Sequence, residues 1–326
     1  MRIEQNNNVS EIPHDVRDIT CKDLFLGSLS GEGSVTPVNG GVAHRVYQIS
    51  HGSDSYYLKI RGNRFASIPS ISCDPHDIDH EHTALQRFGA VVPTIVPHVY
   101  SFNPDKHYLI LSDVIGDGQK MEDILDHDGV PEKLFRQYGA TLRTIHDATK
   151  DIQDSIRPGG DTEYYQRVLG HRFGSLNHPI LNALMSELSS MPRQLILADF
   201  APKNIGVPVK SKLLTVFDLE TAHQGNAVFD FGYAFAHVIL HTIDDPSMMA
   251  QAIQNFLEGY GTQHTFDPNL VKKIIHGILL YRLNSVIPYA TRLTEEQKSK
   301  LEIDILKQLN KPDQDSLWNF NQPLFS

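Results

Sequence analysis

Two neighbouring stretches decide how the chain reads: residues 195–207, LILADFAPKNIGV, and residues 213–232, LLTVFDLETAHQGNAVFDFG. Each begins as an apolar run of strand character and ends in a carboxylate, Asp199 in the first and Asp218 in the second, before turning polar. Asn204 stands between them, five residues after Asp199. Any one of the three also suits an ordinary turn, because Asp and Asn side chains bond their own backbone there. What asks for explanation is the pair of acid-ended strands with an amide between them.

Upstream, the first third is rich in strand signals. VYQIS (46–50) and SYYLKI (55–60) are separated by HGSDS, a hairpin-turn composition, and HYLILSD (107–113) is a further strand. Between them DIDHEHTALQRFG (77–89) places Ile78, Leu85 and Phe88 on one helical face, with Gly89 as the expected stop. SDVIGDG (112–118) has linker composition, so the chain divides into residues 1–113 and 114–326. Beyond it, PEKLFRQYGATLRTIHDA carries Leu134, Tyr138, Leu142 and Ile145 at helical spacing after Pro131, and helices follow near 162–172 and 178–190. From Ala227 onward the pattern is helical, with Thr294 and Gln297 forming a capping box and the tail bearing Trp318 expected to dock on the body. The fold expected is α+β, with a small antiparallel-sheet lobe and a larger helical lobe.

The chain has 326 residues, 40% hydrophobic and 21% charged, which is ordinary globular composition. A formal net charge of -10 argues against a nucleic-acid binder, which needs a basic face. Two separate cysteines, Cys21 and Cys73, fit a reducing compartment, and the polar N-terminus does not read as a signal peptide. No run of about 18 apolar residues suggests a membrane span. A cytoplasmic location is expected. The histidine-rich SCDPHDIDHEH (72–82) matches no zinc spacing and is expected to coat the solvent side of its helix.

Two further residues break their own patterns. Glu81 falls on the apolar face of the 77–89 helix, and Lys59 interrupts an apolar strand. A carboxylate on a buried face needs a cation. Lys59 and Glu81 are therefore expected to pair, although Glu81 also fits a half-exposed edge. Gly40 and Gly41 precede a strand and would let backbone approach a phosphate, or simply make a turn. Neither GxxxxGK[ST] nor GxGxxG occurs, which removes support for a P-loop or a dinucleotide fold. Phosphoryl transfer needs a carboxylate by the attacking hydroxyl and oxygen ligands for magnesium. Asp199 can supply the first, and Asn204 with Asp218 the second.

The order of these parts, glycine turn, strand lysine, helix glutamate, hinge, Asp…Asn, then Asp, is that of a kinase-like fold. The sequence resembles the aminoglycoside phosphotransferase and choline kinase family, small-molecule kinases that include the methylthioribose kinases. LADFAPKN matches the family's catalytic loop H-G-D-x-x-x-x-N, FDLE its metal motif I-D-[FW]-E, and Asp230 in VFDFGYAFAH an aspartate that braces the loop. The resemblance runs from about Gly40 to His241 and implies a two-lobed protein-kinase-like fold. It implies ATP and Mg2+ as cofactors, with adenine against the backbone near Ser112 and Val114. Lys59, held by Glu81, would meet the phosphates, Asn204 and Asp218 the metal, and Asp199 the acceptor hydroxyl. Leu197 and Ala198 replace the family's His and Gly, which implies altered bracing and leaves a non-catalytic nucleotide-binding protein as the second reading. The acceptor implied is an aminoglycoside, a sugar or thiosugar, an amino alcohol or a hydroxy amino acid. A protein acceptor is not expected, because only residues 219–229 separate Asp218 from Asp230 and no A-P-E motif occurs. Glu163, Glu220, Asp244 and Asp245 are expected near the acceptor and would favour an amine-bearing one.

Overall fold

The structure, a computed structural model, describes Val16, Ile19 and residues 33–38, 43–126, 131–261, 266–285 and 293–310. Gly40, Gly41, Trp318 and Cys21 lie outside the described residues.

Five antiparallel strands form the first sheet: β1 (Gly33–Val38), β2 (His44–His51), β3 (Asp54–Arg61), β4 (Val99–Asn103) and β5 (Tyr108–Ser112), in the order β1-β2-β3-β5-β4. His51 pairs with Asp54 across a two-residue loop, and Gly52 takes the positive φ of 59° that such a tight hairpin demands. Alternation then sorts the strands' side chains. Leu58, Ile60, Tyr108 and Ile110 join Val16 and Ile19 in one apolar cluster, while Leu109 and Leu111 join the other, with Ile78, Leu85 and Phe88 of helix α1 (Asp77–Val91). Lys59, between Leu58 and Ile60 and paired with Leu109, therefore points to the α1 side.

Helix α1 does not stop at Gly89. It runs through to Val91, and Val92 N–H still bonds Phe88 O. Pro93 is the terminator, because the residue before a proline is pushed out of helical backbone. In the 112–118 segment Asp113 Oδ1 accepts from the backbone N–H of Ile115 and Gly116, making a tight turn between the sheet and the helical part.

The helical part contains β6 (Gln119–Lys120), α2 (Met121–Leu125), α3 (Glu132–Thr149), α4 (Thr162–Arg172), α5 (Pro179–Ser190), β7 (Gln194–Ile196), β8 (Ile205–Val207), β9 (Thr215–Val216), β10 (His223–Gly225), α6 (Ala227–Thr242), α7 (Pro246–Tyr260), α8 (Pro268–Asn284) and α9 (Glu295–Leu309). Strands β6, β8 and β9 form one small sheet and β7 with β10 another. Helix α6 is buried on nearly every side and forms the core on which the others pack. The capping box of Thr294 and Gln297 opens α9 as its sequence predicts. The chain is an α+β, two-lobed, protein-kinase-like fold. No described helix is long and apolar enough to cross a membrane.

Candidate active site

Lys59 and Glu81 meet as expected. Lys59 Nζ lies 2.6 Å from Glu81 Oε1 and 2.9 Å from Oε2. The same ammonium lies 2.7 Å from Asp218 Oδ1, so strand β3, helix α1 and the FDLE segment are joined at one cation. Glu81 is 0% exposed and Lys59 7%, and Leu219 N–H adds a 3.2 Å bond to Glu81 Oε1. Burial works against the charged amine, but Asp218 and then Glu81 more than offset it and raise the Lys59 pKa. Burial likewise disfavours the Asp218 carboxylate, yet Lys59 and then Lys203 hold it down at about 2.

His44, Glu81 and Asp218 converge closely enough to suggest a metal cluster. Lys59 already fills that role, since its ammonium is in contact with both acids. His44 is buried, and burial, then Lys59, push its pKa well below the ordinary value, so it is a neutral neighbour.

A cleft opens beside this cluster. Its apolar walls include Val38, Val46, Leu111 and Phe217, and Ser112 and Val114 lie at the hinge side. Lys59, Asn204 and Asp218 provide its polar end. The oxygens of Asn204 and Asp218 are hard donors of the type magnesium prefers, and the Asn204 amide nitrogen is already engaged elsewhere. The donor set therefore fits that ion.

Asn204 Nδ2 donates 2.9 Å to Asp199 Oδ2 and 3.1 Å to Asp199 O, which ties the first acid to the cleft. Asp199 is held from several sides. Tyr233 donates to its Oδ1, Lys203 Nζ lies 3.2 Å from Oδ2, and Arg282 and Arg172 approach Oδ1 at 3.5 and 3.6 Å. Burial would raise its pKa, but Lys203, Arg172 and Arg282 keep it well below the carboxylate range. The loop carrying it is gripped by its backbone. Asp230, on α6, accepts from Leu197 N–H at 2.8 Å and Ala198 N–H at 2.7 Å. Thr221 Oγ1 donates to Leu197 O and Arg172 Nη2 to Ala198 O. Beneath it Tyr138 of α3 stacks on Phe200 and donates to its carbonyl. Ala198 (φ 62°) and Asp218 (φ 66°) both adopt left-handed backbone, a costly conformation that clusters at functional sites.

Several side chains here escaped the sequence reading. Lys203, Tyr233, Arg172 and Arg282 surround Asp199, and His44 and Arg61 join the Lys59 network. Lys203, one residue before Asn204, carried the best signal. Glu220 was expected near the acceptor, but it lines the cleft beside Lys59 and binds Arg61 Nη1 at 2.5 Å. Burial, with the nearby charge of Asp218, raises its pKa to about 7. Asp245 caps α7 through Ser247 and Met248 N–H. In the histidine-rich segment His76 is exposed, as expected, whereas His82 stacks on Phe102 with ring centroids 3.9 Å apart.

Residues 34–268 match the model of the phosphotransferase enzyme family. The chain belongs to that family. By that membership it is a small-molecule kinase. Solved structures agree in fold. A putative aminoglycoside phosphotransferase from Ralstonia eutropha superposes with a TM-score of 0.54 at 16% identity, covering 89% of this chain and 93% of its own. An amicoumacin kinase in complex with AMP-PNP, Ca2+ and Ami gives 0.53 at 16%, covering 88% and 91%. A choline kinase from Streptococcus pneumoniae gives 0.53 at 14%, covering 95% and 97%. No curated protein matches by sequence.

Proposed function

We propose that this small-molecule kinase transfers the γ-phosphate of ATP, with magnesium, to a hydroxyl of its acceptor. The observation that carries this reading is the convergence of Lys59, Asn204 and Asp218 on one cleft, with Asp199 bonded to Asn204 at its rim. The amicoumacin kinase of the same fold is described with AMP-PNP, which supports a nucleotide in that cleft. The nucleotide lobe comprises residues 1–113 and the acceptor lobe 114–326, and the protein works in the cytoplasm.

Adenine lies between the apolar walls, against the backbone of Ser112 and Val114. Lys59, kept charged and in place by Glu81, meets the phosphates. Asn204 and Asp218 would hold magnesium, which when bound would neutralise phosphate charge. Asp199 orients the acceptor hydroxyl and takes its proton as the new bond forms, a contribution of roughly 10²- to 10⁴-fold. The oxygen attacks the terminal phosphorus, and ADP leaves with the bridging oxygen.

Asp199→Ala and Asp218→Ala separate these roles. Asp199→Ala should remove transfer with MgATP affinity largely kept, and Asp218→Ala should weaken nucleotide binding in the presence of magnesium. Calorimetric titration and ADP release measure both. Near-normal turnover in Asp199→Ala would remove that residue from the reaction, whereas no ADP release from the wild type with any acceptor would favour the non-catalytic reading.

A further inference from the structure

The carboxylate assigned to the acceptor hydroxyl stands among cations. Lys203, Arg172 and Arg282 all lie within 3.6 Å of Asp199 oxygens. Lys203 also lines the nucleotide cleft, so its charge belongs to the phosphate side. Arg172 does not line that cleft. It reaches Asp199 from the last residue of α4, with its side chain only 8% exposed. Its Nη2 is spent on Ala198 O, and its guanidinium carbon lies 4.4 Å from the Tyr233 ring centroid. Its Nη1 is buried without a hydrogen-bond partner among the described residues.

A buried donor without an acceptor costs about 1–3 kcal/mol, and more when charged. Arg157, the comparable buried arginine, spends Nη1 on Ala222 O and Nη2 on Glu220 O. Arg172 keeps one arm of its fork open beside the reacting group. Among the described residues only Asp199 comes within ion-pair distance of it. Of the acids that might have drawn an ammonium group, Glu220 is committed to Arg61 and Asp245 to the start of α7. A cationic acceptor would meet like charge where its hydroxyl must dock.

We propose that the acceptor is a small hydroxy compound carrying an oxyanion, a carboxylate or a phosphate ester, which takes the open Nη1 of Arg172 while the hydroxyl faces Asp199. This rests on the kinase reading above. A guanidinium fork suits either oxyanion. In the reaction the hydroxyl oxygen bonds the terminal phosphorus, the bond to the bridging oxygen breaks, ADP departs and the proton goes to Asp199. The oxyanion is unchanged.

Matched probes test this. Glycerol, glycerate and glycerol 3-phosphate share one skeleton, as do 1,4-butanediol and 4-hydroxybutyrate, and ethanolamine supplies the opposite charge. Each is titrated calorimetrically into the full chain, with and without magnesium and a non-hydrolysable ATP analogue, and ADP release is followed with ATP. At least one anionic probe should bind roughly 10- to 100-fold more tightly than its neutral partner, the range of one charge-assisted hydrogen bond. Glycerate and glycerol 3-phosphate distinguish the two oxyanions. Arg172→Gln also loses the bond to Ala198 O, which would weaken neutral and anionic probes together, so the readout is their ratio: the variant should abolish the preference of the anionic probe over its neutral partner. Arg172→Lys, which keeps the charge but loses the fork, should retain part of it. Equal binding of neutral and anionic probes, preference for ethanolamine, or a preference that survives Arg172→Gln would overturn the proposal. Failure of the kinase reading shows separately, as absence of analogue binding and of ADP release with every probe.

Discussion

Lys59→Met offers a direct measure of what the buried ion pair contributes. The substitution keeps the side chain's length and removes its charge. Asp218 loses a partner too, but its side chain is 31% exposed and water can replace the ammonium. Among the described residues Glu81, 0% exposed, keeps the Leu219 N–H as its hydrogen-bond donor, with His44 Nε2 3.6 Å from Oε2. Removing one partner of a buried pair ordinarily costs about 3–5 kcal/mol. Glu81 has an escape, however, because it can take up a proton. From an unfolded pKa of about 4.3, that uptake costs about 3.7 kcal/mol at pH 7 and about 1 kcal/mol at pH 5. The protonation limit therefore governs. Lys59→Met should lose about 3–4 kcal/mol relative to wild type at pH 7 and only about 1 kcal/mol at pH 5. The sign follows from linkage: burial already raises the folded Glu81 pKa above its unfolded value, and loss of Lys59, which opposes that rise, raises it further, so stability is kept below about 4.3 and is lost more steeply as pH rises. Urea unfolding of wild type and variant at both pH values gives the comparison. The double variant Lys59→Met/Glu81→Leu should recover most of the loss at pH 7. A deficit equal at the two pH values, or strictly additive single changes, would refute a buried carboxylate dependent on Lys59.

Glu220 has a folded pKa of about 7 against an ordinary 4.5, so it takes up a proton on folding and wild-type stability should fall by up to about 3 kcal/mol as pH rises between those values. Glu220→Gln should remove that slope, and a wild-type-minus-variant difference that grows with pH in urea titrations would contradict it. Ala198→Gly should be neutral within about 1 kcal/mol, because relief of left-handed backbone offsets the lost methyl and the added chain entropy, whereas Ala234→Gly in the middle of α6 should cost about 2 kcal/mol by the same unfolding assay. Asp230→Asn leaves one acceptor oxygen for the Leu197 and Ala198 N–H groups; it should cost roughly 2–3 kcal/mol and reduce ADP release, as unfolding and turnover assays would show.

Residues that violated a local pattern were legible in the sequence. Lys59 stood in an apolar strand and Glu81 on an apolar helical face, and each needed the other to be buried at all. Asp199 and Asp218 were legible as polar ends of strands with Asn204 between them, and the structure brings Asn204 and Asp218 to one cleft with Asp199 bonded to Asn204. What stayed hidden arrives from elsewhere in the chain. Arg172 closes α4, Arg282 lies near the end of α8, and Tyr233 is on α6, so no periodicity links them to Asp199. Arg282 did interrupt an apolar run, LLYRL, as Lys59 did, but no nearby acid identified its partner. Helix α1 outran Gly89 because a helix tolerates an interior glycine at a cost of about 1 kcal/mol, whereas Pro93 closes it by steric exclusion.

The replacement of His and Gly by Leu197 and Ala198 is the departure that most invited a non-catalytic reading, and the structure shows why those side chains are a poor guide. The four groups that fix this turn are backbone atoms: the N–H of Leu197 and of Ala198 to Asp230, Leu197 O to Thr221, and Ala198 O to Arg172. A turn held by its peptide groups is indifferent to the side chains it carries, provided they fit their surroundings and the backbone angles can be met. Leu197 is buried and adds apolar surface to the core. Ala198 is the smallest residue with a Cβ, and it meets the left-handed angle at a cost of about 1–2 kcal/mol that glycine would have avoided. That strain is small beside the two charge-assisted bonds to Asp230, each about 1.5–3 kcal/mol, so the loop keeps its path and Asp199 keeps its place beside Asn204. The acids and the amide thus keep the arrangement that the proposed transfer calls for, although the motif that usually announces them is only half present.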